Sequence, residues 1–150
     1  MERRKELKES TLGKNAKETF RKPNAKILET FQNRYQKRDY VINIKILEFT
    51  SICPVTSQPD FATVYIMYIP DEKCIESKSL KLYIHSYRNF GIFYEDSINR
   101  ILDDFVKTCE PKWIRVIGEF NPRGGISISP IVEYKKEGYK LPEYAKSNNK

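Results

Sequence analysis

Along this chain the spacing of apolar residues changes from every second residue to every third or fourth and then back, and that order restricts the fold more than any single motif. From Asp39 to Phe49 the sequence is β-branched and alternating, with Ile42, Ile44 and Ile46 on one face, which predicts a strand. Phe61 to Ile69 alternates in the same way, with Ala62, Val64, Ile66 and Tyr68 opposite Phe61, Thr63, Tyr65 and Met67, until Pro70 closes it. The period then turns helical. Leu80, Tyr83, Ile84 and Tyr87 fall at i, i+3, i+4 and i+7 with Gly91 as a stop signal, and Ile98, Ile101, Leu102, Phe105, Val106 and Cys109 repeat the spacing up to Pro111. Trp113 to Phe120 and Ile126 to Val132 return to alternation, joined by Asn121-Pro122-Arg123-Gly124-Gly125, where Pro and paired Gly favour a tight turn. The order ββααββ, with short connections inside each strand pair, predicts an α+β fold: an antiparallel four-stranded sheet with both helices on one face. Such a sheet has two open edges, which favours assembly of subunits edge to edge into a ring.

Length and composition fit this reading. With 150 residues and 39% hydrophobic content the chain suits one compact domain. The net charge of +7 is unevenly spread, because residues 1–40 hold 12 Lys/Arg against 6 Asp/Glu while residues 41–150 hold 15 against 14. The surplus therefore belongs to a basic N-terminal arm over 1–27, read as either solvated or polyanion-binding, ahead of a single domain over 28–150. No apolar run is long enough for a signal sequence or membrane span, so a cytoplasmic location is expected. Three cysteines without C-x-x-C spacing and one histidine, His85, argue against a structural zinc site and leave free thiols in a reducing compartment.

The two kinds of cysteine context differ. Cys109 falls on the apolar stripe of the second helix, whereas Cys53 opens the loop Cys-Pro-Val-Thr-Ser-Gln-Pro-Asp, whose two prolines can continue neither neighbouring strand. Cys53 is the better candidate nucleophile, the alternative being an ordinary loop cysteine; reactivity requires the thiolate. Asp60, across the same loop, could shuttle a proton or simply stabilise the turn. Lys78, Lys81, His85 and Arg88 form one basic face opposite the first helix's apolar stripe. That face is either solvated or an anion site, with Lys78 and Lys81 on a first turn whose dipole also favours negative charge. Glu76 and Glu95 precede or open the two helices, and each is either a helix-terminal acid or a two-pronged partner for a guanine-like base.

Taken together, Cys-Pro-Val-Thr-Ser-Gln-Pro-Asp-Phe (53–61), Glu-Ser-Lys-Ser-Leu-Lys (76–81), Glu95-Asp96 and Pro-Arg-Gly-Gly (122–125) closely resemble the short, single-domain NADPH-dependent 7-cyano-7-deazaguanine reductases of the queuosine pathway of tRNA modification. The resemblance runs in order from about Leu12 to Tyr134. It implies the tunnelling fold, whose ββααββ subunits form pentameric barrels that stack in pairs, giving a homo-decamer with active sites between subunits. It further implies that Cys53 attacks a nitrile carbon to form a thioimide, that Asp60 supplies the proton, and that two NADPH deliver successive hydrides. Glu95 would hold the deazaguanine edge with Glu76 and the backbone around Ile75 and Ser77, while Lys78, Lys81 and Arg123 would bind cofactor phosphates. No metal is implied. The chain departs from the family at Tyr94, where a histidine usually precedes the glutamate; tyrosine donates a hydrogen bond but does not titrate near neutral pH. Two other readings are a pterin or purine cyclohydrolase, which a single histidine disfavours, and a non-catalytic RNA-binding module using the basic arm, which the resemblance does not imply.

Overall fold

A computed structural model describes residues 22–146. Its main sheet is built from β2 (Ile42–Ile52), β3 (Pro59–Ile69), β5 (Trp113–Phe120) and β6 (Ile131–Lys135), in the spatial order β2-β3-β5-β6 with every neighbouring pair antiparallel. Between β3 and β5 come helices α1 (Ser77–His85) and α2 (Tyr94–Cys109). This is the four-stranded antiparallel α+β arrangement that the alternation of periods predicts.

The inner face of the sheet explains why the helices lie where they do. Ala62, Val64, Ile66 and Tyr68 of β3 and Ile114, Val116 and Phe120 of β5 are all buried, and they meet Ile98, Ile101, Leu102, Phe105 and Cys109 of α2 and Leu80, Tyr83 and Ile84 of α1. Each fully buried Ile or Phe here contributes roughly 1.5–3 kcal/mol. Gly118 lets α2 approach β5 closely: a Cβ there would stand 2.6 Å from Cδ1 of the fully buried Ile98.

Beneath the tyrosines of α1 lies a polar network. Tyr83 donates to Asp104 at 2.6 Å and its hydroxyl meets that of Tyr87 at 2.9 Å, so these buried oxygens are satisfied.

Four features depart from the sequence reading. First, β2 carries a bulge: Ile46 pairs with Val64 but Phe49 pairs with Ala62, so Leu47 and Glu48 together oppose Thr63. The extra residue reverses the alternation. Ile42, Ile44 and Ile46 lean against the core before it, while Phe49 and Ser51 are fully buried after it and Leu47 is 66% exposed.

Second, β6 begins at Ile131, not at Ile126. Pro130 has no N–H to donate, and the stretch before it stays beside β5 only through single bonds such as Phe120 N–H to Ile128 O at 3.3 Å. The apolar Ile126 and Ile128 therefore remain exposed.

Third, α1 stops at His85, and Tyr87 keeps its buried place through successive turns that run on to Phe90. Fourth, two three-residue strands too short to show a period, β1 (Thr30–Gln32) and β4 (Lys73–Ile75), pair with each other.

Among the described residues, the opposite face of the sheet is covered at one end. Tyr139, Leu141 and Ala145, the last within the short helix α3 (Glu143–Lys146), pack on Met67, Ile69, Trp113 and Ile117. Asp39 anchors this tail, accepting from Lys112 Nζ at 2.7 Å and from the Tyr139 hydroxyl at 2.9 Å, while its carbonyl accepts from Tyr144. The Lys112 ammonium, first among these partners, holds the Asp39 carboxyl below its ordinary value. Most of the basic arm expected over 1–27 lies outside the described residues. Its last part packs on the helices, with the Pro23 carbonyl accepting from Arg100 at 2.7 Å, and Leu28 enters the core.

Candidate active site

Cys53 stands directly after β2, at the end of the sheet where β3 begins and β5 finishes. Because the β2 bulge reverses the alternation, the last residues of the strand direct their odd-numbered side chains to the helix-covered face. The six residues Cys53 to Gln58 close on themselves: the Cys53 N–H donates to Gln58 O at 2.8 Å and the Ser57 N–H to Cys53 O at 2.9 Å. Ser57 takes a left-handed φ of 57° to make the turn.

Two main-chain bonds then clamp the segment between the helices to the final residue of β2, from Ile52 N–H to Phe90 O and from Ile92 N–H to Ile52 O, both at 3.0 Å. The result brings the first turn of α2 against Cys53.

The thiol is half-buried and its pKa is lowered to about 7. The Thr56 hydroxyl contributes most, followed by the N–H groups of Thr56 and Val55, with the Arg123 side chain adding to them. Every one of these donors favours the thiolate. Cys109, by contrast, is 1% exposed and burial pushes its thiol up to about 12. Cys74 is also buried, its sulfur 3.7 Å from the Tyr40 hydroxyl. Of the three thiols Cys53 is the accessible one, Cys74 and Cys109 being buried.

Asp60 opens β3 on the inner face and is 3% exposed. Its Oδ1 accepts from the Tyr94 hydroxyl at 2.9 Å and is 2.7 Å from an Arg123 guanidinium nitrogen. Tyr94 is aimed by stacking on Phe120, with ring centroids 4.0 Å apart and planes 18° from parallel. Burial, and then the bond to Asp60, hold its pKa above the ordinary tyrosine value, so it remains a donor throughout the neutral range.

Arg123 is placed by the tight turn its motif predicts. Arg123 and Ile126 exchange N–H to O bonds at 3.0 Å across Gly124 and Gly125, whose φ of 57° and 79° a side chain would strain. Its guanidinium also reaches the Pro59 carbonyl at 3.4 Å. These groups face a pocket of about 240 Å³ lined by Cys53, Pro54, Asp60, Ile92, Phe93, Tyr94, Glu95, Arg123 and Ile128. Its lining combines the apolar Pro54, Ile92, Phe93 and Ile128 with a thiol, two acids, a phenol hydroxyl and a guanidinium.

The remaining residues singled out in the sequence lie elsewhere in the subunit. Glu76 accepts the Lys78 N–H at 2.8 Å and the Ser79 N–H at 2.7 Å, and so caps α1. These bonds, with that from Ser77, hold its carboxyl below the ordinary value against the opposing effect of burial. Oε1 also accepts from the Ser77 hydroxyl at 3.3 Å, so it is Oε2, bonded to the Ser79 N–H, that keeps a further lone pair for a ligand.

The Ile75 N–H is taken by the Tyr68 hydroxyl at 3.1 Å. Lys78 and Lys81 are exposed on α1, and the charges of Arg88 and Lys81 add to burial in lowering the pKa of half-buried His85. Asp60 is the second residue of the eleven-residue β3, and Ile75 meets Tyr68 eight residues further on, about 26 Å along the strand from Asp60. Thr56 and Phe120 were not among the sequence candidates. A hydroxyl three residues after the cysteine is the signal that points to the first, and nothing local marks the second.

Comparison with known proteins accords with this geometry. A family model described as QueF-like protein matches residues 59–139. The NADPH-dependent 7-cyano-7-deazaguanine reductase of Streptococcus mutans is 51% identical over 141 residues, 93% of this chain and 87% of that one. The reductases of the same name from Exiguobacterium sibiricum and Bacillus subtilis are 56% and 54% identical over 119 residues, 79% of this chain and 74% and 72% of theirs. Among solved structures, an archaeosine synthase QueF-Like in the apo form superposes with a TM-score of 0.58 at 22% identity, over 62% of this chain and 91% of that one. That likeness concerns the fold. With half its residues shared with reductases over nearly the whole length, this chain belongs to the family of NADPH-dependent 7-cyano-7-deazaguanine reductases.

Proposed function

We propose that the chain reduces the nitrile of 7-cyano-7-deazaguanine to the primary amine, 7-aminomethyl-7-deazaguanine, with NADPH as reductant, in the cytoplasm. The observation that carries this reading is an accessible Cys53 thiol, its pKa lowered to about 7, on the same small pocket as the buried Asp60 carboxyl. A nitrile carbon is an electrophile that a thiolate attacks without a metal or further activation.

In the first step the Cys53 Sγ–carbon bond forms and one π pair of the C≡N bond moves to nitrogen. Asp60 relays the thiol proton to that nitrogen, leaving a neutral thioimide. Bound NADPH would supply the two hydrides, one to the thioimide and the second to the imine left once the Cys53 thiolate has departed, with one proton from solvent accompanying each. Cys53 thereby returns to its starting state.

Glu95, at the pocket rim beside Tyr94, is placed to accept from the guanine-like edge of the base, and the stack of Tyr94 on Phe120 forms part of the wall. Ile75, Glu76, Ser77, Lys78 and Lys81 are too far from Cys53 to serve the same pocket within one subunit. Their separation supports a site shared between neighbours in a decamer of two stacked pentamers, joined along the open edges β2 and β6. There Glu76 would complete the base pocket. Lys78, Lys81 and Arg123 would meet the cofactor's phosphates. Because the Glu76 carboxylate already occupies the N–H groups of α1's first turn, the phosphate there depends on the lysine side chains.

The test is to mix the protein with 7-cyano-7-deazaguanine and follow NADPH absorbance, with intact mass of the cofactor-free mixture to detect the adduct. NADPH oxidation at two per nitrile, with an adduct on Cys53, is expected. No adduct and no oxidation would overturn the reading.

A further inference from the structure

Arg123 stands in the wrong place for a residue that serves only a cofactor. Its guanidinium is 2.7 Å from Asp60 Oδ1, reaches the Pro59 carbonyl, and lines the pocket beside Cys53. It bridges the β5–β6 turn to the first residues of β3, directly after the loop that Cys53 opens. A thiolate and a carboxylate on one small pocket repel, and each drives the other towards its protonated form. A cation between them removes that conflict. The Thr56 hydroxyl and main-chain donors serve the thiolate alone and cannot do this for both acids.

We propose that Arg123 is a positioning residue for nucleophile activation: on the pocket it shares with Cys53 and Asp60, it offsets the negative charge that the thiolate brings beside the Asp60 carboxyl and orients Asp60 through Oδ1. Since Tyr94 and Arg123 both engage Oδ1, the other oxygen, Oδ2, is the one that exchanges the proton. This role operates before any cofactor is bound. It is therefore separable from a contact with cofactor phosphate, and it does not rest on the identity of the nitrile.

The same geometry accounts for the Arg-Gly-Gly sequence. The glycines hold a two-residue turn with left-handed φ at both positions, and that turn fixes where the arginine starts. Lysine could supply the charge but not the fork that spans the carboxylate, the sulfur and the Pro59 carbonyl.

The experiment is the pH dependence of Cys53 alkylation by iodoacetamide in the full chain, without substrate or NADPH, read by peptide mass so that Cys74 and Cys109 are scored separately. Wild type should alkylate with a midpoint at about pH 7. In Arg123→Gln the midpoint should rise by about 0.5 to 1 pH unit and stay below the ordinary cysteine value near 8.5, because the Thr56 and Val55 donors remain, slowing alkylation at pH 7 by about 2- to 5-fold. Arg123→Lys, which keeps the charge, should hold the midpoint within a few tenths of a pH unit of wild type. It also serves if the glutamine variant does not fold.

A wild-type midpoint in Arg123→Gln, or the same upward shift in Arg123→Lys as in Arg123→Gln, would overturn the proposal and leave Arg123 a cofactor ligand. Alkylation carries no nitrile. A protein that alkylates as expected yet forms no adduct with 7-cyano-7-deazaguanine would defeat the nitrile reading while leaving this one standing.

Discussion

Removing the hydroxyl of Tyr94 isolates one bond in the site without disturbing the packing around it. In Tyr94→Phe the ring stays stacked on Phe120, and Asp60 Oδ1 loses one of its two donors, a bond of 2.9 Å to a carboxylate that is 3% exposed. A hydrogen bond to a charged group is worth about 1.5–3 kcal/mol, and Arg123 remains on the same oxygen, so the lower half of that range applies. If the bond steadies Asp60 while it moves the proton, turnover and cofactor-free adduct formation should both fall by about 10- to 40-fold.

The companion variant Tyr94→His tests the same contact by pH. Wild-type Tyr94, with its pKa held above the ordinary value, does not titrate between pH 5 and 9, whereas a histidine there should add a limb near its ordinary value of about 6.5. Adduct formation timed by intact mass across that range is the assay. Wild-type rates in Tyr94→Phe, or an unchanged profile in Tyr94→His, would show that Asp60 does not depend on this donor.

Other substitutions separate the remaining roles. Asp60→Asn should keep the fold but slow the chemical step by about 10²- to 10⁴-fold in single-turnover measurements. Lys78→Ala and Lys81→Ala should each raise KM for NADPH, with a loss of roughly 1.5–3 kcal/mol per charge-assisted bond, while the rate of adduct formation on Cys53 stays the same. Glu76→Ala should cost about 1 kcal/mol of stability by uncapping α1, seen in denaturant melts, and raise KM for the nitrile if the neighbouring subunit's pocket uses it. Cys109→Ala should lower stability by about 1 kcal/mol through a small cavity and leave the adduct untouched.

The fold was legible because the signals that specify it are local. Strand and helix periods are properties of consecutive residues, so Phe61–Ile69 and Ile98–Cys109 announce which face each will bury before any partner is known. The strand and helix order then leaves an antiparallel sheet with helices on one face as the economical arrangement. What was missed was set by non-local bonds. The three-residue β1 and β4 exist only because each finds the other across more than forty residues, and the bulge at Leu47 and Glu48 is a property of the pairing with β3, not of β2 alone.

The site divides in the same way. Cys53, Asp60 and Arg123 could be picked out as types: a cysteine outside any apolar stripe, an acid across a constrained loop, a cation beside a glycine pair. A motif resemblance joined them to one chemistry. Their relation was decided only by tertiary structure. A bulge several residues earlier turns Phe49 and Ser51 to the covered face just ahead of Cys53, two main-chain bonds to Ile52 bring Tyr94 beside it, and the turn at Gly124 and Gly125 carries Arg123 across from β5 to Asp60. An ionisable group's role depends on the charges and donors within a few ångströms of it, and those neighbours come from segments that the sequence keeps up to about seventy residues apart. Residue types and periods are written along the chain; distances between charges appear only once it has folded.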